Sequence, residues 1–374
     1  MTATLPPGPG DVQPMQWDVF CRVVDNFGDI GVCWRLARSL ARRGQRVRLF
    51  TDDAAPLRWM APGGEPGVEV LPWGASDDAA AVPGDVVVEA FGCDPPGAFI
   101  AAMARGDRAR APIWINLEYL SAEAYVERSH GLASPRMSEP GRGLVKWFFY
   151  PGYTPRTGGL LHEPGLAEAR GRFDRAGWLA AQRIVVGPAD RLVSVFCYAG
   201  APLARLVDAL AADGRPTVLA TAPGPATSAI ARLLPAPPGT LRHVPLPWLA
   251  LDDYDRLLWA SDLNFVRGED SWVRAQWAGR PFVWQAYVQD SRAHEVKVKA
   301  FVDRLVQGHE PACAAAWRRW HEAWNGFDDG VGPLPEWSAD RLDALGRAAR
   351  TWRDDLERQP DLTGNLLAIV EEKR

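Results

Sequence analysis

The chain has 374 residues, of which 47% are hydrophobic and 24% charged, and its formal net charge is −4. This length favours two domains, the composition is that of a globular protein, and no basic cluster indicates nucleic-acid binding. Five scattered cysteines without a CxxC pair argue against a disulfide framework or a zinc site, and no apolar run approaches the ~18 residues of a membrane span. We therefore expect a cytoplasmic protein, with neither a membrane nor a nucleic acid as partner.

The first half of the chain alternates between strand and helix patterns. Residues 1–14 are rich in proline and glycine and lack an apolar core, so we expect a disordered leader rather than a signal peptide. The pattern then predicts strands at Trp17–Val24, Arg46–Thr51, Asp85–Phe91 and Ile113–Leu117, and helices at Val32–Arg43 and 95–105. Residues 131–165, with many prolines and glycines and an aromatic cluster, are expected to be irregular.

A second series begins near residue 190. It predicts strands at Arg191–Tyr198, Thr217–Thr221, Leu241–Pro245, Asp262–Val266 and Phe282–Tyr287, with helices at 202–212, 225–234, 252–259 and from the RGEDS segment through Trp277. From residue 291 onward the pattern is helical, with candidate helices at 310–325, 338–352 and 361–372.

Most predicted strands are apolar without polar alternation, which is typical of parallel sheets covered on both faces. We therefore predict an α/β protein of two doubly wound, Rossmann-like domains. The expected division is residues 15–182 for the first domain and 183–355 for the second. Residues 356–374 are expected to form a C-terminal helix that packs back on the first domain.

The loop Asp25–Gly31 (DNFGDIG) follows the first predicted strand, at the sheet edge where open α/β folds bind ligands. It carries two carboxylates, Asp25 and Asp29, and glycines that let a ligand approach the backbone. A carboxylate there can act as a general base or orient an acceptor. The loop lacks GxGxxG, and its acids would repel a pyrophosphate, so a dinucleotide oxidoreductase is a poor fit. The alternative is that both aspartates only cap the helix and shape the turn.

The segment Arg267–Ser271 (RGEDS) also lies between a predicted strand and a predicted helix. The Ser271 hydroxyl and free N–H groups at the helix start can hold a diphosphate, and Arg267 can neutralise its charge. The alternative is a capped helix with a local ion pair.

Three aromatic residues, Phe196, Tyr198 and Trp248, lie at or just beyond the ends of predicted strands in the second series. Their rings can stack on a nucleobase, and the alternative is inward core packing. No set of histidines, cysteines and acids has metal-ligand spacing, so we expect no metal. No GxSxG elbow indicates a hydrolase.

At these two loops the chain resembles the EarP family, the protein-arginine rhamnosyltransferases that modify translation elongation factor P (EF-P). The resemblance covers nearly all of the chain from residue 17 onward. It rests on four segments: WDVFCRVVDNFGDIGVCWRLAR (17–38), KWFFYPGYTPRTGGLL (146–161), VSVFCY (193–198) and DYDRLLWASDLNFVRGEDSWVRAQWAGRPFVWQ (253–285).

The resemblance implies the GT-B fold, in which two facing Rossmann-like domains form the active-site cleft. It implies inverting transfer of rhamnose from dTDP-β-L-rhamnose to one arginine of EF-P, with no metal or other cofactor. Asp29 is then the catalytic base, and Asp25 and Glu269 are further essential acids. The implied donor-binding residues are Asn26, Phe27, Gly28, Phe196, Tyr198, Trp248, Leu251, Arg267, Gly268, Asp270 and Ser271.

A guanidinium is charged in water and is a poor nucleophile, so it must lose a proton as the sugar is transferred. We expect Asp29 to accept that proton and Asp25 to orient the acceptor. For Glu269 two roles stay open, since it can bind a rhamnose hydroxyl or hold its loop.

The chain departs from the family pattern at a few positions. Trp248 stands in place of a phenylalanine and keeps an aromatic face, whereas Leu251 stands in place of a glutamine and cannot make an amide hydrogen bond to a base. Residues 285–288 read Gln-Ala-Tyr-Val in place of His-Ile-Tyr-Pro. Two other functions stay open: a GT-B glycosyltransferase with a small-molecule or lipid-linked acceptor, and a non-catalytic protein that binds EF-P.

Overall fold

The computed structural model describes residues 14–374 apart from 26, 79–80, 106–109, 235–238, 289–292 and 331. The expected leader therefore lies outside the described residues, except for Pro14. The described part contains two β-sheets with helices packed against them. No helix within it is long and apolar enough to cross a membrane.

The first sheet has seven strands: β1 (Gln16–Cys21), β2 (Arg46–Thr51), β3 (Val68–Pro72), β4 (Val86–Ala90), β5 (Ile113–Leu117), β6 (Ala133–Pro135) and β7 (Val145–Phe149). Their order is β3-β2-β1-β4-β5-β7-β6, and only the β6–β7 pair is antiparallel. The helices of this half are α1 (Gly28–Ala41), α2 (Leu57–Met60), α3 (Gly97–Met103), α4 (Tyr125–Ser129), α5 (Leu166–Gly171) and α6 (Arg175–Ala181), with a short 3-10 helix at Trp73–Ser76.

The second sheet has five parallel strands: β8 (Arg191–Val195), β9 (Thr217–Thr221), β10 (Leu241–Pro245), β11 (Leu263–Arg267) and β12 (Phe282–Gln285). Their order is β10-β9-β8-β11-β12. The helices are α7 (Leu203–Ala211), α8 (Pro225–Leu233), α9 (Leu251–Ala260), α10 (Asp270–Ala278), α11 (Ala293–Leu305), α12 (Pro311–Trp324), α13 (Ala339–Glu357) and α14 (Leu362–Lys373). Both sheets thus have the strand order of a doubly wound fold.

Fully buried apolar strands account for the agreement with the predicted pattern. β4, β8 and β9 are buried along their whole length, which explains their long apolar runs. β3 and β7 were not predicted. Most of their residues are only half-buried, so their apolar signal is weak, and β7 carries the aromatic cluster of the segment expected to be irregular.

The prediction for the start of α1 was wrong by one turn. The helix begins at Gly28 rather than at Val32, so Asp29 lies in its first turn instead of in a loop. A carboxylate in the first turn is favourable because it faces the positive end of the helix dipole.

A cluster of charges, buried except for Asp252, joins the two domains. The guanidinium of Arg35, on α1, is paired with Glu163 at 3.1 Å, Asp255 at 3.0 Å and Asp270 at 2.7 Å. Its other members are Arg38, Asp252 and Arg274. We call these seven residues the interdomain ion network. Since buried charges are stable only when paired, the network fixes α1 against α9 and α10.

The C-terminal helix α14 packs on the first domain. Its residues Leu362, Leu366 and Val370 are buried in the same core as Leu36 of α1. Asp361, which caps α14, is paired with Arg43 at 2.8 Å. The chain therefore returns from the second sheet to the first before it ends.

Candidate active site

The two sheets present their switch points to each other. β1 has β2 on one side and β4 on the other, and β8 likewise lies between β9 and β11. The carboxyl ends of such strands border the crevice in which doubly wound folds bind ligands. Across this crevice the Tyr198 hydroxyl, after β8, donates a 2.5 Å hydrogen bond to Oδ2 of Asp25, after β1. The predicted loops of the two domains therefore meet in one site.

Two glycines make the space for the Asp25 carboxylate. A Cβ at Gly28 or at Gly268 would lie 2.6 Å from Asp25 Oδ2, so neither position accepts a side chain without displacing that oxygen. Gly268 also has a φ of +65°, a conformation that favours glycine. Burial raises the pKa of Asp25, while the hydrogen bond from Tyr198 and the charge of Arg267 oppose that rise.

Hydrogen bonds hold the Asp29 carboxylate from two directions. Its Oδ2 accepts from the backbone N–H groups of Val24 at 2.8 Å and Asp25 at 2.9 Å, and its Oδ1 accepts from the Tyr119 hydroxyl at 3.2 Å. The residue is only 2% exposed. Asp29 thus has a fixed orientation that spacing alone does not predict. Asn26, expected to bind the donor, lies outside the described residues.

The Glu269 carboxylate binds a loop of the opposite domain. Both of its oxygens accept from the backbone N–H of Leu120 at 3.1 Å, and the Lys297 ammonium lies 3.7 Å from Oε2. Burial raises the pKa of Glu269 to about 7, against the opposing charge of Lys297. These contacts correspond to the loop-holding role that the sequence left open.

The raised pKa of Glu269 predicts a pH-dependent stability difference. From about pH 4.5 to 7 the folded protein binds more protons here than the unfolded chain, so this carboxylate lowers stability as pH rises. Glu269→Gln removes that cost, and its melting temperature should exceed that of the unmodified protein by about 1–3 °C at pH 8. The melting temperatures of the two proteins should converge near pH 5 in scanning calorimetry. The same change at the exposed Glu371 is the control, and an equal offset at both pH values would contradict the prediction.

Arg267 holds the aromatic pair that was expected to bind the donor. Its guanidinium lies 4.2 Å from the ring centre of Phe196 and 4.5 Å from that of Tyr198, and it donates to the carbonyl of Cys197 at 3.2 Å. A cation at this distance from aromatic faces is stabilised by their quadrupoles. The positive charge is therefore held at the crevice, next to the start of α10.

A largely apolar cavity opens beside these residues. Phe27 and Trp59 of the first domain meet Trp248 of the second across it, with ring centres 4.9 and 5.1 Å from that of Trp248. The rest of the wall includes Gly28, Phe196, Leu251, Tyr254, Arg267, Asp270 and Ser271. Most of the residues predicted to bind the donor thus line one cavity. No sequence pattern pointed to Trp59, which lies on the short helix α2.

The start of α10 is arranged differently from the sequence expectation. The Asp270 carboxylate is paired with Arg35 in the interdomain ion network, and the Ser271 hydroxyl donates to the carbonyl of Arg267. The backbone N–H groups of the first turn have no partner within the helix. These groups, rather than the two side chains, are the donors available to an anion.

Two of the departures from the family pattern have structural roles. Leu251 is buried in the core of the first domain while it also lines the cavity, so it joins the domains instead of reading a base. The side-chain oxygen of Gln285 accepts from the backbone N–H of Tyr198 at 2.8 Å, which positions the loop after β8. In the described part of the chain, no group of three or more His, Cys, Asp or Glu residues could hold a metal ion.

Residues 17–371 match the family described as Elongation-Factor P (EF-P) rhamnosyltransferase EarP. The protein-arginine rhamnosyltransferase of Pseudomonas putida KT2440 is 41% identical over 374 residues, which cover 94% of this chain and 97% of that protein. A solved structure on EarP-mediated arginine glycosylation of EF-P is 28% identical, with a TM-score of 0.65 over 96% of this chain and 100% of that one.

The fold is also that of more distant glycosyltransferases. The calicheamicin glycosyltransferase CalG4 is 16% identical, with a TM-score of 0.50 over 97% of this chain and 98% of that one. At this identity the likeness concerns the fold alone. With its two facing doubly wound sheets, the chain is a glycosyltransferase of the GT-B fold and belongs to the EarP family of EF-P rhamnosyltransferases.

Proposed function

We propose that the protein transfers L-rhamnose, with inversion, from dTDP-β-L-rhamnose to one arginine side chain of EF-P in the cytoplasm. The observation that carries this proposal is that Asp25, which accepts a hydrogen bond from Tyr198 across the crevice, lines one aromatic cavity together with Arg267. Family membership supports both the sugar and the acceptor protein.

The donor fits the second-domain side of the crevice. The aromatic wall around Trp248 suits a thymine base, because large rings bury apolar area and stack. Arg267 and the first turn of α10 suit a diphosphate, which needs positive charge and N–H donors. Donor binding by these groups requires only residues of this chain.

The acceptor fits the acids of the first domain. A guanidinium pairs well with carboxylates, and Asp25 and Asp29 are adjacent in the crevice. As the arginine nitrogen forms a bond to C1 of rhamnose, the bond from C1 to the diphosphate oxygen breaks and its electron pair leaves with dTDP. The proton of the attacking nitrogen passes to Asp29. Glu269 acts on this step indirectly, by holding the loop at Leu120.

The direct test incubates the protein with EF-P and dTDP-rhamnose and follows the intact mass of EF-P. The expected result is the gain of one deoxyhexosyl group on a single arginine, with release of dTDP. An unchanged intact mass of EF-P would contradict the proposal. If EF-P binds without a mass change, the protein is a non-catalytic partner. Turnover of the donor with another acceptor would indicate a different glycosyltransferase.

Arg267 should contribute strongly to donor affinity. Charge-assisted hydrogen bonds contribute roughly 1.5–3 kcal/mol, so Arg267→Met should weaken dTDP binding about 10- to 100-fold in titration calorimetry. Arg256→Met is the matched control, because Arg256 lies on the surface of α9 in an exposed pair with Asp253. If the two variants bind dTDP equally well, Arg267 has no role in the donor site.

A further inference from the structure

The loop after β5 contacts acids of both domains. The hydroxyl of Tyr119 donates to Asp29 Oδ1 at 3.2 Å, and the next residue, Leu120, donates its backbone N–H to Glu269 at 3.1 Å. Neither residue was expected in the site. In the sheet, β4 lies between β1 and β5. Tyr119 and Asp29 therefore come together only when the sheet has formed.

Hydrogen bonds from the described residues fill three of the acceptor sites of the Asp29 carboxylate. An ionised carboxylate offers about two acceptor sites on each oxygen. Oδ2 has both sites occupied by the N–H groups of Val24 and Asp25, and Oδ1 has one site occupied by Tyr119. Since no described residue donates to the other site of Oδ1, this site is the one at which Asp29 can accept a proton from an acceptor nitrogen.

The ring of Tyr119 is held on both faces. Phe91 stacks on it with ring centres 4.0 Å apart and planes 6° from parallel, and the Lys297 ammonium lies 5.3 Å from its centre. Phe91 has a φ of +59°, a conformation that costs roughly 1–3 kcal/mol for a residue with a side chain. Backbone strain of this kind persists at functional sites, and here it places a ring directly against Tyr119.

We propose that Tyr119 is a positioning residue for rhamnosyl transfer, which fixes Oδ1 of Asp29 toward the acceptor guanidinium. The inference rests on the proposed function and adds a residue to it. Burial and the negative charges of Asp29 and Glu269 raise the pKa of Tyr119 well above its usual range, so the hydroxyl keeps its proton and always donates. Leu120 and Lys297 connect the same loop to Glu269, which extends the positioning to the second domain.

Several titratable groups surround the Tyr119–Asp29 pair. They are Asp25 of the same loop as Asp29, Cys33 of α1, Tyr198 after β8, Glu269 before α10 and Lys297 of α11. The Tyr119→Phe substitution keeps all five of these titratable side chains. A difference in kcat between the two proteins therefore reports the lost hydroxyl.

The experiment compares Tyr119→Phe with the unmodified protein in the EF-P assay. We expect kcat to fall about tenfold with little change in the KM for dTDP-rhamnose, because the carboxylate is free to rotate away from the acceptor. Tyr153→Phe is the control, since it also removes one buried hydrogen bond, the one from Gln276 at 3.1 Å.

An unchanged kcat in Tyr119→Phe would overturn the inference. So would an equal fall of kcat in Tyr153→Phe. Phe91→Leu, which keeps the Tyr119 hydroxyl but removes its stacking partner, should change kcat in the same direction by a smaller factor. Titration with dTDP verifies that each variant is folded. If the unmodified protein itself does not glycosylate EF-P, the proposed function fails, and this outcome is distinct from a silent Tyr119 variant.

Discussion

Asp29→Asn is expected to reduce rhamnosyl transfer to EF-P about 10³-fold while dTDP still binds. General-base catalysis contributes roughly 10²–10⁴-fold, and an amide cannot take up the proton that the arginine nitrogen must lose. The side-chain oxygen of asparagine can still accept from the N–H groups of Val24 and Asp25, so the loop should keep its shape. The loss should therefore appear in kcat.

The measurement is the initial rate of EF-P modification by intact mass, with dTDP affinity measured separately by calorimetry. Asp52→Asn is the matched control, since Asp52 also accepts from a backbone N–H near this loop, that of Val23 at 2.9 Å, but is exposed. Transfer at an undiminished rate in Asp29→Asn would remove Asp29 as the base and leave Asp25 as the nearest carboxylate.

Glu163→Gln is expected to cost about 3 kcal/mol of unfolding free energy. Its two carboxylate oxygens pair with Arg35 at 3.1 Å, with Arg38 at 2.5 Å and with Arg274. Removing one partner of a buried ion pair typically costs 3–5 kcal/mol, because it leaves charge without compensation. In Glu163→Gln, the guanidinium groups of Arg35, Arg38 and Arg274 would lose one carboxylate that all three contact.

Urea denaturation at pH 7 measures this loss, and Glu65→Gln is the control. Glu65 pairs with Arg42 at the surface, where an ion pair contributes about 0–1 kcal/mol. The guanidinium groups hold the pKa of Glu163 below its usual range, so its contribution is present above about pH 4.5 and is lost as pH falls below that value. The deficit of Glu163→Gln should shrink accordingly in acid. A deficit as small as that of Glu65→Gln would contradict the role given to the network.

The sequence predicts the parts of this fold in which local pattern and final environment agree. The strand Thr217–Thr221 is apolar because it is buried on both faces, and its bounds were predicted correctly. The half-buried β7 was missed, because its mixed side chains resemble a loop. The helix start at Gly28 was missed because glycine and aspartate are also typical turn residues.

The site was only partly predictable for a related reason. Asp25, Asp29 and Glu269 stand in recognisable segments, so the sequence points to them. Tyr119 and Lys297 have no motif of their own, and their roles arise from strand order and from helix packing across the domains. The direction of the Asp270 carboxylate, toward Arg35 rather than the cavity, likewise depends on a partner more than 200 positions away.

The interdomain ion network also bears on how the molecule loses its structure. Asp29 lies in the first turn of α1 and Glu269 directly precedes α10, and these two helices are the ones that Arg35 and Asp270 tie together. If one half of the molecule melted, the charges that the other half contributes to the interdomain ion network would be left exposed and unpaired. The two halves should therefore unfold in a single cooperative transition. Thermal inactivation and global unfolding would then coincide, because the alignment of Asp29 with Glu269 and the survival of the fold depend on the same pair of helices.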